Sequence, residues 1–115
     1  MRVNEKTPSS VKNIGQNAIY DFVMESTDFN GMETAYESLP YAYRRSQAGS
    51  GYCLLSGGRD HHFIVRGIDR ARHIVNHYRR LLRKRKRGGF KVYQYVDEKD
   101  DWDCSDGNLI VRTDD

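Results

Sequence analysis

The feature that most constrains this chain is an apolar stripe between positions 68 and 82, with members three or four residues apart. Its members are Ile68, Ala71, Ile74, Val75, Tyr78, Leu81 and Leu82. At about 100° per residue, these side chains lie along one side of an α-helix, as expected for a helix that packs on a core. Gly88 and Gly89 follow, and glycine is typical just beyond a helix end. The sequence therefore predicts a helix over 68–87 with one buried side.

Strand patterns surround this helix. Residues 62–66 and 90–96 are rich in β-branched and aromatic residues. The segment 52–55 is a short apolar run, and the turn-forming residues after it would join it to 62–66 as a hairpin. A last strand is predicted at 109–112. The strand–helix–strand unit around the helix would be a right-handed crossover if its two strands are parallel.

The N-terminal half has helical spacing instead. The apolar residues of 11–23 recur at helical intervals after a suitable serine N-cap, so a helix is predicted from about residue 10 to 26. A second helix is predicted at 32–38, and Pro40 separates it from an irregular or helical piece that reaches residue 45. The glycine-containing segment 48–51 is interpreted as a linker.

The predicted element order is therefore α-α-β-β-α-β-β. This order indicates an α+β protein, with a small three- or four-stranded sheet and a long basic amphipathic helix packed on one face. The 115 residues are enough for one domain. We expect residues 1–10 to form a flexible leader and residues 11–115 to form the single domain.

Membrane and secretory signals are not evident in the sequence. No apolar run approaches the roughly 18 residues that a membrane span needs, and no secretory signal pattern is present. Cys53 and Cys104 are too few to indicate a disulfide framework, which favours a reducing compartment. We therefore expect a small soluble protein of the cytoplasm with no membrane partner.

The charge is distributed very unevenly, although the net charge is only +3. Residues 66–91 contain 11 basic residues and one acid, Asp69, which is a net charge of +10. The rest of the chain contains 8 basic and 15 acidic residues, a net charge of −7, and many of these acids lie in the segment 97–107. An uneven charge distribution of this kind is evidence about binding partners more than about the fold.

The polar side of the predicted helix, together with a nearby aromatic–basic segment (Tyr41, Tyr43, Arg44 and Arg45), is the main candidate binding site. Arginine forks match phosphate oxygens, and like charges on adjacent helical turns repel unless something binds them. The alternative is a solvated face, or one paired internally with the acidic segment 97–107. The tyrosines could stack on unpaired bases or could pack in the core. The candidate residues are Arg72, His73, Arg79, Arg80, Arg83, Lys84, Arg85, Lys86, Arg87, Tyr41, Tyr43, Arg44 and Arg45.

Metal binding and catalysis have weaker support. His73 and His77 are four residues apart on the predicted helix, but they lack a third ligand and the glutamate of the zinc-protease motif. His61 and His62 are neighbours in a predicted strand, so their side chains should point to opposite faces. A histidine-based nuclease is a minor alternative. We therefore predict no catalytic residue, no metal and no cofactor.

Two function hypotheses from different classes follow. In the first, the protein is a small non-enzymatic regulator that binds nucleic acid (DNA or RNA) or a nucleoprotein through the basic face of helix 68–87. In the second, it is a protein-binding inhibitor or adaptor, such as an accessory protein of a phage or mobile element. Its basic helix would then dock on an acidic protein surface, or its acidic loop on a basic one. A homodimer is compatible with the exposed edges of a small sheet.

Overall fold

The computed structural model describes residues 17–52, 57–95, 101–103 and 109. Within these residues the chain forms five strands and three helices. In chain order they are β1 (Ile19–Ser26), α1 (Phe29–Glu37), α2 (Tyr41–Arg44), β2 (Gln47–Tyr52), β3 (Arg59–Arg66), α3 (Ile68–Arg85), β4 (Phe90–Tyr95) and β5 (Asp101–Asp103). The predicted α+β class is confirmed, but the observed order differs from the predicted one because the first element is a strand.

The strands form one antiparallel sheet in the order β2-β3-β1-β4-β5. Four of them are six or eight residues long, and β5 has three residues. This is one strand more than the predicted maximum. Because β3 and β4 both run antiparallel to the central β1, they are parallel to each other, and α3 connects them across β1. The predicted strand–helix–strand unit therefore has a third strand between its two strands.

β1 replaces the end of the predicted first helix, so that prediction is wrong for residues 19–26. Tyr20, Phe22 and Met24 are buried in strand alternation. The apolar run here is nearly continuous, so its sequence fits helical and strand spacing alike, and pairing with β3 on one side and β4 on the other decides between them. The predicted leader and the first part of that helix lie outside the described residues.

The segment 48–51, predicted as a linker, belongs to the edge strand β2. In this strand Ser50 lies opposite His61, and Gly51 lies opposite Asp60. The absence of a side chain permits this approach, because a Cβ at Gly51 would lie 2.9 Å from a carboxylate oxygen of Asp60. A strand pairs antiparallel with β3, as the hairpin prediction expected, but it spans Gln47–Tyr52 instead of 52–55, and residues 53–55 lie outside the described part of the chain.

α1 and α3 pack against each other and on one face of the sheet. In the core between the helices and the sheet, the rings of Phe22 on β1 and Phe63 on β3 are stacked with centroids 6.0 Å apart. The two helices approach closely at Gly31, where an added Cβ would lie 2.5 Å from Cδ2 of Leu82. One core therefore fixes both helices relative to the sheet.

The buried side of α3 comes from the apolar stripe seen in the sequence. Its buried residues are Ile68, Ala71, Ile74, Val75, Tyr78 and Leu82. The helix ends two residues earlier than predicted. Lys86 has a left-handed backbone conformation with φ 54°, and its N–H donates to the Leu82 carbonyl at 3.1 Å, which is the geometry of a C-terminal cap. Of the predicted last strand, only Leu109 is described, and it is buried.

Candidate functional site

Exposed basic side chains are concentrated on the outward side of α3 and at its exit. Between positions 68 and 87, seven basic side chains are exposed, against one exposed acid, Asp69. The seven are Arg70, Arg72, Arg80, Arg83, Lys84, Lys86 and Arg87. They face outwards because the apolar stripe takes the other side of the helix. Arg80, for example, follows the fully buried Tyr78 by two residues, about 200° around the helix axis.

These bases form rows along α3. Arg72 and Arg83 lie along one line of about 16 Å at 1.5 Å per residue, with the half-buried Arg79 between them at intervals of seven and four residues. No described carboxylate forms an ion pair with Arg80, Arg83 or Lys84. Residues 101–103 are the part of the acidic segment that the structure describes, so internal pairing with the rest of that segment lies outside the description.

Two candidate arginines are engaged within the protein. Arg85 donates from Nε at 2.6 Å and from Nη2 at 3.1 Å to the two carboxylate oxygens of Asp28, the buried N-cap of α1. The hydrogen bonds from Arg85 hold the pKa of Asp28 below its ordinary value, against the effect of burial. Arg79 donates to Asn76 at 3.2 Å, and its guanidinium lies 5.8 Å from the ring centroid of Phe90. Arg85 therefore joins α3 to α1, and we do not retain it as a ligand-binding residue.

α2 places the aromatic–basic segment against the first half of α3. The ring of Tyr43 is half-buried and lies 4.7 Å from that of His73, while the guanidinium of Arg70 lies 6.0 Å from the Tyr43 ring centroid. Tyr41, in contrast, is 69% exposed, and the guanidinium of Arg44 lies 5.7 Å from its ring. Two segments that the sequence separates are thus neighbours. We call the exposed bases of α3 and its exit, together with Tyr41, Arg44 and Arg45, the basic surface.

The two histidines of α3 do not converge on one site. His73 packs on Tyr43, whereas Nε2 of His77 lies 3.0 Å from the Ala35 carbonyl oxygen and 2.8 Å from the Ser38 hydroxyl. Burial and nearby positive charges keep the pKa of His77 below its ordinary value. Among the residues that the structure describes, no group of three or more His, Cys, Asp or Glu side chains could hold a metal ion.

A polar chain, which the sequence did not reveal, runs from α3 through β3 to α1 and is buried at Tyr78 and His61 but partly exposed at Glu33 and Arg59. The Tyr78 hydroxyl lies 2.6 Å from Nδ1 of His61, and Nε2 of His61 lies 3.1 Å from Oε2 of Glu33. The same Glu33 oxygen accepts from Nε of Arg59 at 2.8 Å. Burial raises the pKa of Tyr78 and lowers that of His61. The hydroxyl therefore stays protonated and donates to Nδ1, and the neutral imidazole donates from Nε2 to the Glu33 carboxylate.

This series of hydrogen bonds joins three elements of the fold, namely α3, β3 and α1. Burial acts to raise the pKa of Glu33, but the hydrogen bonds from His61 and Arg59 together outweigh it and leave that pKa below its ordinary value. Each polar group has a partner, as buried polar groups require. The residues are far apart in sequence, so spacing gave no signal for the chain.

His62 points to the other face of the sheet, where Nε2 bonds to the carboxylate of the buried Asp21 on β1. The prediction that His61 and His62 point to opposite faces is confirmed. Their partners also differ, because His61 bonds towards the helices. The two imidazoles therefore do not form a pair that could act on one substrate.

A cleft of about 290 Å³ lies where β1 ends and β3 and β4 begin. Its charged lining residues are Glu25, Arg59, Asp60 and Lys91, so two acids and two bases offset each other. Neither His61 nor His62 lines it. The cleft thus has neither a histidine nor the excess positive charge of the basic surface.

Comparisons with protein-family models, curated proteins and solved structures find no match for this chain. Within the described residues, no helix is both long and apolar enough to cross a membrane. The function must therefore be inferred from the chemistry of the basic surface.

Proposed function

We propose that this protein is a small, non-enzymatic regulator that binds nucleic acid or a nucleoprotein through the basic surface, in the cytoplasm. One observation carries the proposal, namely the seven exposed basic side chains of α3 and its exit against one exposed acid. The apolar side of α3 is already buried in the core, which leaves its charged side for a partner.

Phosphate backbones are the ligand class that best fits this surface. Five of the seven exposed bases are arginines, whose forked donors match phosphate oxygens. Like charges on adjacent turns destabilise a helix by roughly 0.2–0.5 kcal/mol per pair, and phosphate contacts would relieve this repulsion. Binding would also release counterions from the nucleic acid, which favours association at low salt. A membrane surface fits less well, because the helix has no free apolar side to insert.

A protein-binding inhibitor or adaptor is the second candidate, and one cluster favours it. Tyr52 on β2 is 53% exposed, its ring meets that of Phe29 edge-on at 5.5 Å, and the guanidinium of Arg59 lies 5.3 Å from the Phe29 ring. Tyrosine and arginine are enriched among the residues that dominate protein interfaces. An edge strand such as β2 could also pair with a second copy of the chain, which would give a homodimer.

Fluorescence anisotropy with labelled duplex DNA, single-stranded DNA and RNA tests the proposal. Measurements at about 50 and 200 mM salt are suitable, because phosphate contacts weaken steeply over this range. The double variant Arg80→Ala/Arg83→Ala should bind every sequence more weakly. Since it removes two phosphate contacts, the slope of log Kd against log salt should fall by about 1.4 to 1.8.

Arg66→Ala/Lys91→Ala is the matched control. It removes the same charge from the sheet face away from the helices, where Arg66 pairs with Ile19 and Lys91 pairs with Glu25. Its affinity should stay within about two-fold of the wild type, because both side chains lie on the sheet face opposite α3 and the solvent between screens their charges. Equal weakening by both double variants would contradict a specific role for α3. Absence of wild-type binding even at the lower salt would favour the protein-partner candidate.

A further inference from the structure

We propose that Tyr41 is a stacking site for an unpaired base, so that the basic surface takes single-stranded nucleic acid. This inference rests on the proposed function, which supplies the phosphate contacts along α3, and it adds the class of nucleic acid. Its basis is an exposed aromatic ring whose backbone belongs to a short helix beside the basic side chains of the surface.

The ring of Tyr41 is exposed while its backbone is fixed. Its 69% exposure is the largest among the big apolar side chains that the structure describes as exposed, ahead of Tyr52 and Ile64. Pro40, with φ −56°, is the N-cap of α2, and the Tyr41 carbonyl accepts from the Arg45 N–H at 3.1 Å. A tyrosine on a rigid turn loses little conformational entropy when another ring stacks on it.

Basic side chains border this ring. The guanidinium of Arg44 lies over the ring of Tyr41, 5.7 Å from its centroid, so a nucleobase would stack on the opposite face of the ring, and Arg45 is exposed one residue further on. A base stacked on the tyrosine would bring its flanking phosphates towards these two arginines. The site therefore combines the two elements that single-strand binding needs, an aromatic platform and a positively charged track for the backbone.

The track continues onto α3. Tyr43, two residues after Tyr41, packs on His73 at 4.7 Å and has the guanidinium of Arg70 6.0 Å from its ring. These contacts fix the Tyr41 turn against the first half of the helix. The phosphates next to a stacked nucleobase would then run along the exposed basic side chains of α3.

A single strand fits this arrangement better than a duplex. In a duplex the bases stack on one another and present only their edges in the grooves, so the exposed Tyr41 ring would have no partner there. In a single strand each base offers a π-face, and stacking on an aromatic side chain tolerates any sequence. Loss of one such stack should lower the single-strand affinity by about 5- to 150-fold.

Tyr52 offers a matched control within the same chain. It is also an exposed tyrosine, but it lies on β2, where its ring meets Phe29 edge-on at 5.5 Å. The residue opposite Tyr52 is Arg59, but its Nε donates to Glu33 at 2.8 Å, and the next residue of β3 is Asp60, so this ring is bordered by a base that is engaged within the protein. Tyr41→Phe serves as the conservative variant, because it keeps the ring.

The experiment measures the affinity of the wild type, Tyr41→Ala, Tyr41→Phe and Tyr52→Ala by fluorescence anisotropy. The probes are single-stranded DNA, single-stranded RNA, duplex DNA and an abasic single strand of equal length. Tyr41→Ala should lose about 5- to 150-fold on the preferred single strand, while the other two variants stay within about two-fold. The wild type should bind the abasic strand as weakly as Tyr41→Ala binds the intact one. Thermal melting should be unchanged, since the ring is exposed.

The outcomes separate this inference from the proposed function. Salt-sensitive wild-type binding that Tyr41→Ala leaves unchanged would overturn the stacking site and keep the phosphate-binding surface. Duplex binding tighter than single-strand binding would overturn the assignment of ligand class. If the wild type binds no nucleic acid in a salt-sensitive manner, both proposals are wrong. The DNA and RNA probes show which sugar the site prefers.

Discussion

Tyr78→Phe should destabilise the protein, although it removes a single oxygen atom. The Tyr78 hydroxyl donates to Nδ1 of His61 at 2.6 Å, and the two residues are 0% and 1% exposed. Without the hydroxyl, Nδ1 becomes a buried acceptor with no donor, which costs about 1–3 kcal/mol. We expect a loss of about 2 kcal/mol in the free energy of unfolding, because the same hydrogen bond fixes the tautomer that donates to Glu33.

Urea denaturation measures this loss. With a slope of about 1–2 kcal/mol per molar urea for a domain of this size, the midpoint should fall by about 1–2 M while the slope stays constant. Tyr36→Phe is the control, since the Tyr36 ring lies edge-on to His61 at 5.5 Å without a hydrogen bond between them. A loss for Tyr78→Phe no larger than that of Tyr36→Phe would refute the proposed hydrogen-bond chain.

Three further predictions concern the same framework. Arg85→Ala leaves the buried Asp28 carboxylate without its two-pronged partner, so the melting temperature should fall, while the salt slope of nucleic-acid binding changes little. Burial keeps the folded-state pKa of His61 below that of the unfolded chain, so the unfolded state takes up the proton first as the pH falls. The unfolding free energy from urea titrations should therefore decrease below about pH 6.5, by at most about 1.4 kcal/mol per pH unit from this group, and a flat profile down to about pH 5.5 would contradict this. Gly31→Ala would place a Cβ against the Asp28 carboxylate and 2.5 Å from Cδ2 of Leu82, so both the cap of α1 and its contact with α3 would have to shift, and we expect a loss of about 1–3 kcal/mol in thermal or urea unfolding.

The helical pattern of residues 68–82 could be recognised from the sequence because it extends over several turns. A strand would place Ile74 and Val75 on opposite faces, whereas a helix brings both to the side that packs on the sheet. The end of α3 was less predictable. Gly88 and Gly89 had predicted that the helix continues to residue 87, but Lys86 already adopts the left-handed conformation that ends it.

β1 could not be recognised in the same way. Ile19, Phe22 and Val23 fit one side of a helix, yet Tyr20, Phe22 and Met24 also fit one face of a strand. The choice depends on the partners β3 and β4, which lie 33 or more residues further along the chain. Tertiary pairing of this kind overrides local propensity.

The concentration of basic residues was visible in the sequence, but the role of each base was not. Helical spacing places Arg83 on the polar side and Arg85, seven residues after Tyr78, on the apolar side, but it does not identify the partner of Arg85, which is Asp28, 57 residues away in sequence. Tyr41 and Tyr43 likewise differ only through the packing of Tyr43 on α3. Contacts between elements, which spacing does not report, determine which candidates remain available to a ligand.

The claim that the basic surface binds phosphate backbones is tested most directly by the salt dependence of wild-type binding to a single-stranded oligonucleotide. The seven exposed basic side chains of α3 and its exit, together with Arg44 and Arg45, set an upper slope of about 6 for log Kd against log salt, at about 0.7 per phosphate contact on a single strand. Contact by four or more of these bases predicts a measured slope of at least about 3. A slope near zero, or no binding at about 50 mM salt, would contradict the claim.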